Sequence, residues 1–290
     1  MNKKSITMII LAGILWGTSC IFVKLWEQMR LSAAEMTTLR TIAAFLCFLI
    51  FVLIFDRGAL KTNIRDALLY AGSGVTLFGT AAFYYKAMQL TSVSTAVVLM
   101  YMSPVLVLGW SVAFFGERLT VKKALAVVCM LTGSALVSGI AGGACFNPKG
   151  TVMGILSAVS YGAYSIFTKI QARRGCSSVT STVFSFFFAA LASACACNFS
   201  VIGEVFTEYP SKTILLAIIH GIMTFVLPYF LYSLSMKKLP AGVAASMGVV
   251  EPLSGTLFSV ALLGETLTVI PACGIVLILG AVIVLGRGNG

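Results

Sequence analysis

Residues 248–255 read GVVEPLSG, which sets a carboxylate, Glu251, beside Pro252 in an uncharged run from about residue 239 to 264. Two costs coincide there. A charge is expensive in hydrocarbon, and a proline removes a backbone hydrogen bond that lipid cannot replace. Both are tolerated beside a polar cavity. Glu251 is therefore a candidate to hold the cationic part of a small substrate or to carry a coupling proton. The competing reading is a protonated side chain that only hydrogen-bonds one helix to another.

Four more ionisable residues fall in apolar stretches: Lys24, Arg40, Lys86 and His220. At a rise of about 1.5 Å per residue, Arg40 lies roughly 10 Å and His220 roughly 12 Å in from the outer surface, and Glu251 about 15 Å from the inner one. Arg40, with five donors, suits a substrate carboxylate or the carbonyls of a helix end. Lys86 is a second candidate for that carboxylate. Lys24 sits where a long side chain reaches the headgroups. His220, the only histidine, is a candidate substrate ligand or a hydrogen-bonded core residue, and a histidine-cluster metal site is not available.

Aromatic residues could line a cavity between such groups. Trp16, Tyr101 and Tyr161 are the leading candidates, from a wider set that includes Tyr84, Tyr85, Trp110, Tyr164, Tyr229 and Tyr232. Pro104 and Pro252 cannot donate to the carbonyls of Met100 and Gly248, so each should open a helix near mid-membrane. Gly248 and Gly255 would ease bending or close packing there, and Pro228 gives a third weak point.

The elements that position these residues follow from composition. Of 290 residues, 59% are hydrophobic and 10% charged. A soluble domain carries about 25% charged residues, so a water-soluble fold is excluded. Apolar stretches of spanning length occur at about 6–26, 33–55, 67–89, 93–115, 121–140, 150–170, 179–199, 212–235, 241–263 and 269–286. They are continuously apolar rather than alternating, which predicts an all-α protein with ten transmembrane helices. The connections, the longest at about 56–66, 141–149, 171–178 and 200–211, leave no soluble domain. The start, MNKKSITMIILAGILWG, lacks a small-x-small cleavage site and reads as an uncleaved first helix. The eight cysteines form no CxxC pair and read as buried, inert thiols. No cofactor motif is present.

With both termini inside, 14 basic residues fall on inner connections and 3 on outer ones. Under the positive-inside rule this predicts a cytoplasmic N- and C-terminus, and with no transit peptide visible the expected location is a bacterial cell (inner) membrane. The net charge of +11 is thereby a topology signal, not a nucleic-acid footprint.

The chain also repeats. PVLVLGWSVAFFGERLTV (104–121) aligns with PLSGTLFSVALLGETLTV (252–269), identical at nine of eighteen positions, and WGTSCIFVK (16–24) echoes YGAYSIFTK (161–169). This divides the chain into five-helix halves, 1–145 and 146–290. Five is odd, so the second half must be inverted relative to the first. Inverted halves suit alternating access around a midplane site. Glu117 and Glu265 recur in the same GExLTV turn on opposite faces, which reads as structural, with Thr120 or Thr268 capping the next helix.

The stretches WG (16–17), LRTIAAFL (39–46), AFYYKAMQLTSVSTAVVLMYMSPVLVLGWSVAFFGERLT (82–120) and EPLSGTLFSVALLGETLT (251–268) together resemble the EamA-type transporters of the drug/metabolite transporter superfamily. The resemblance spans nearly the whole chain. It implies ten helices, a central cavity and transport of small metabolites, often the export of amino acids or related compounds.

The expected partners are a small-molecule substrate, a coupling proton and membrane lipids, with a monomer sufficient. Three rivals remain. An intramembrane enzyme would need a catalytic set, and no HExxH, G-x-S-x-G or acidic pair in register is present. A channel would usually need a pore formed by oligomerisation. A flippase for lipid-linked substrates could use the same architecture.

Overall fold

The computed structural model describes residues 3–91, 93–137, 147–263 and 269–287, and no strand occurs among them. Among the described residues, ten helical runs cross the fold. The first half holds α1 (Lys3–Gly17) with α2 (Ser19–Glu27), then α3 (Ala33–Phe55), α4 (Ile64–Leu90), α5 (Val93–Met100) with α6 (Ser103–Phe115), and α7 (Val121–Val137). The second half holds α8 (Pro148–Arg173), α9 (Ser178–Cys195), a short α10 (Phe199–Glu208), α11 (Pro210–Gly221) with α12 (Leu227–Met236), α13 (Ala241–Met247) with α14 (Val250–Leu263), and α15 (Val269–Arg287). Eight runs are at least 18 residues long and apolar enough to span a membrane, and α7 and the apolar part of α15, Ala272–Val284, are shorter.

Local chemistry sets the starts. Ser32 and Glu35 form a capping box at α3, while Asn63, Asn147, Ser177 and Asn198 accept backbone N–H groups at α4, α8, α9 and α10. Each cap satisfies donors that the first turn leaves without a helical partner. The expected connection at 200–211 is corrected by α10, whose Ile202 and Val205 are buried. Its apolar face gains more from packing on α3 and α11 than from remaining extended.

The helix pairs repeat under inversion. The second helices, α3 and α9, pack on each other, as do the fifth, α7 and α15. The pair α4 and α8 has its counterpart in α12 and α1. In lipid, apolar burial does not drive helices together, so close backbone approach and internal hydrogen bonds must. At Gly17 an added Cβ would strike the Ser254 hydroxyl and come within 2.7 Å of the Gly255 nitrogen. Ser254 in turn donates to the Gly13 carbonyl at 3.1 Å, pinning α14 to α1. Large apolar side chains face outward instead, with Ile54, Phe55 and Phe114 all well over half exposed.

The cysteines also differ from expectation. The seven that are described are free, but none is fully buried, and Cys195 and Cys273 are exposed. Several still face neighbours inside the fold: Cys20 Sγ lies 3.8 Å from the Gly255 carbonyl, and Cys129 and Cys197 pack against the buried clusters. Cys145, Glu265 and Thr268 lie outside the described residues.

Candidate functional site

The two proline sites are where the helices break. α5 ends at Met100 and α6 starts at Ser103; α13 ends at Met247 and α14 starts at Val250. Pro104 falls in the first turn of α6, where its missing N–H costs nothing. The freed carbonyl expected at Gly248 is corrected: it accepts from the Glu251 N–H at 2.9 Å. The chain tightens to a three-residue turn, so the break presents a side chain to its surroundings and keeps its carbonyl satisfied.

The breaks meet. Tyr101, in the turn of the first, donates its hydroxyl to Glu251 Oε2 at 2.9 Å. Tyr101 is buried, whereas Glu251 and Pro252 remain partly exposed. Around this pair stands an aromatic wall. Trp16 lies 5.0 Å from Tyr229, edge to face, and 5.9 Å from Tyr232. Tyr164 contacts the same two rings at 5.4 and 5.9 Å. Ser165 shares a 2.8 Å hydrogen bond with the Tyr232 hydroxyl. Gly248 leaves room for this wall, because a Cβ there would sit 2.9 Å from the Tyr161 hydroxyl and 3.9 Å from the Trp16 ring. Gly255 has more space, its nearest neighbour being the Gly17 carbonyl at 3.6 Å.

Arg40 approaches from α3. Its guanidinium stands 5.4 Å from the centre of the Phe225 ring, a cation–π contact. Its Nε is buried with no hydrogen-bond partner among the described residues. Phe225 packs 4.9 Å from Tyr229, so rings connect Arg40 to the wall beside Glu251. Arg40 and Glu251 are within electrostatic reach of each other, and Tyr84 is within reach of Glu251. Phe225 belongs to a π-helical segment, Ile222–Val226, just before Pro228 in α12. A single wide turn of this kind often marks a functional site.

His220 and Lys86 are held by other partners, although His220, like Glu251, is within electrostatic reach of Arg40. His220 is fully buried; Trp26 Nε1 donates to its Nδ1 at 3.0 Å, and Phe22 stacks on it at 4.7 Å. These contacts put it beside a separate apolar cluster with Met29, Leu39 and Leu216. Lys86 is exposed, 3.4 Å from Gln89, and lines a separate cleft of about 200 Å³ with Ser32, Thr37, Tyr85 and Ser193. The structure thus gathers Glu251, Arg40, Trp16, Tyr101 and Tyr161 with Gly248, and leaves His220 and Lys86 outside the group. Among the described residues, no three His, Cys, Asp or Glu side chains cluster to hold a metal.

Tyr164, Tyr229 and Tyr232 carry more of the wall than the leading candidates suggested. Their signal was the shared i, i+3 spacing of Tyr161 with Tyr164 and of Tyr229 with Tyr232, which puts both rings of each pair on one helix face. Lys169, one of the 14 basic residues assigned to the inner side, is buried and donates to the carbonyls of Met236 and Leu239.

A family model described as the EamA-like transporter family matches residues 3–139 and 148–287. A protein of Archaeoglobus fulgidus described as an "uncharacterized transporter" is 33% identical over 280 residues, covering 96% of this chain and 95% of that one. The "uncharacterized inner membrane transporter YicL" of Salmonella typhimurium is 25% identical over 300 residues, covering 98% and 95%. One solved crystal structure matches with a TM-score of 0.80 at 20% identity, covering 98% of this chain and 96% of that chain, which shows a shared fold.

Proposed function

Given that this chain belongs to the EamA-like transporter family, we propose that it is a secondary active carrier exporting small zwitterionic metabolites, amino acids or related compounds, by alternating access. The single observation behind this reading is the Tyr101–Glu251 hydrogen bond at the meeting of the two helix breaks. In this reading Glu251 takes the substrate amine or the coupling proton, Arg40 takes the carboxylate, and Trp16 with the tyrosines encloses the apolar part. A half-satisfied carboxylate and a guanidinium with a bare Nε leave hydrogen-bonding capacity for a ligand of opposite polarity at each end.

The carrier acts in the cell's inner membrane, with both termini cytoplasmic as the 14-to-3 distribution of basic residues supports. It functions without nucleic acid or cofactor, and one copy suffices. Counterflow in proteoliposomes against labelled amino acids and organic acids tests the reading. Saturable uptake by the wild type, accelerated by the same solute on the opposite side and lost in Glu251→Gln, supports it. Equal transport by both proteins removes Glu251 from the working centre.

A further inference from the structure

At one end of the molecule charged side chains hold the turn between α12 and α13, and one of them, Glu117, reaches it from the other half. α6 ends at Gly116, in the left-handed conformation at φ +63°, and the chain turns to present Glu117. Glu117 Oε1 accepts the Ala241 N–H at 3.1 Å, at the start of α13. That helix has Pro240 at its cap position and no side-chain cap of its own. From the opposite direction, buried Lys169 donates Nζ to Met236 O at 2.9 Å and Leu239 O at 2.5 Å, at the end of α12. A carboxylate thus faces the positive start of one helix and an ammonium the negative end of another, the orientations that helix dipoles favour. Residues 237–240 are held between them. Two further contacts lie at the same end. Arg173 donates to the Phe115 carbonyl at 3.3 Å, and Arg174 pairs with Asp66 at 2.9 Å.

A structural cap would explain either bond alone. It does not explain why the cap for α13 comes from the other half of the molecule, nor why a buried lysine holds the same turn. Opening this end requires the α6–α7 turn to part from the α12–α13 turn, and the Glu117 bond to Ala241 spans that seam. The sequence repeat sharpens the point. Glu117 corresponds to Glu265 at an offset of 148, and Lys169 to Lys24 at an offset of 145. Glu265 is outside the described residues, so the correspondence is one of sequence. A gate is the one task that alternating access requires at both faces.

We propose that Glu117 and Lys169 form the latch of the gate at this face, holding the turn 237–240 while it is closed. The proposal rests on the alternating-access reading above. Its test does not depend on knowing the substrate. In a chain whose native cysteines are replaced by alanine, Arg118→Cys and Lys238→Cys carry spin labels on the two sides of the seam. Distances between them are measured in lipid nanodiscs by double electron–electron resonance. Glu117→Gln and Lys169→Met should each raise the population of the longer distance several-fold, in protein that elutes and melts like the parent. Unchanged distance distributions in such folded protein overturn the latch. Glu117→Gln leaves the lysine on its carbonyls, so it carries the test if Lys169→Met does not fold. If neither folds, the pair is a folding clamp and the gate assignment is wrong. Counterflow on the same preparations separates the two ideas. Transport with unshifted distances sinks the latch alone, whereas shifted distances without transport sink only the carrier reading.

Discussion

The fourth helical run of each half breaks at the same place and carries different chemistry. α5–α6 and α13–α14 each stop, turn and restart beside a proline, at Pro104 and Pro252. In the first half the residue before the proline is Ser103, fully buried with its hydroxyl unpartnered among the described residues. In the second it is Glu251, partly exposed and bonded to Tyr101. The repeat reproduces the backbone geometry, and the charge is confined to one of the two breaks. The first break still contributes, since it supplies the tyrosine that orients the carboxylate. The proposed site draws on both breaks, and the two contribute different groups to it.

The sharpest way to break this comparison is to neutralise the two positions separately. Glu251→Gln should lower counterflow about 100-fold, the kinetic equivalent of roughly 3 kcal/mol for a lost charge-assisted interaction. Tyr101→Phe removes the hydroxyl and keeps the ring. It should cost about tenfold in apparent substrate affinity, for a hydrogen bond worth roughly 1.5 kcal/mol. Initial rates of uptake at varied substrate concentration read this effect. Gly248→Ala places a methyl group against Tyr161 and Trp16. It should destabilise the protein by about 1–3 kcal/mol, as overpacking does, seen as a lower thermal midpoint in detergent. Ser103→Ala should change flux less than about twofold and leave stability within about 0.5 kcal/mol, since its hydroxyl makes no bond that would be lost. If Ser103→Ala proves as damaging as Glu251→Gln, the halves share the chemistry and the asymmetry drawn here is wrong.

Glu117 and Lys169 offer a second contrast within the same molecule. Both are charged and far from Glu251 in sequence, and neither stood out as functional. Glu117 recurs in both halves, which argued for a structural turn, and Thr120 does accept the Lys123 N–H at 3.3 Å as expected. What the turn's carboxylate reaches is in the other half, 124 residues away. No local pattern announces a bond of that range.

The sequence by itself determined a great deal. A low charge content and ten apolar stretches allow only a helical membrane protein, because lipid forces every backbone group to be satisfied within its own helix. The 148-residue offset between the GExLTV blocks, with an odd number of helices per half, dictated inversion. The placement of Pro104 and Pro252 marked where two helices would have to yield. Tertiary structure alone decided which charged residues share a site. Arg40, His220 and Lys86 are all ionisable groups at spanning depth, yet Arg40 reaches the wall beside Glu251 through Phe225, His220 is bonded to Trp26, and Lys86 faces a separate cleft. Depth along a helix follows from counting residues. Which neighbour a side chain faces depends on helix rotation and pairing, and those are set by contacts such as Gly17 on Ser254 between segments more than 200 residues apart.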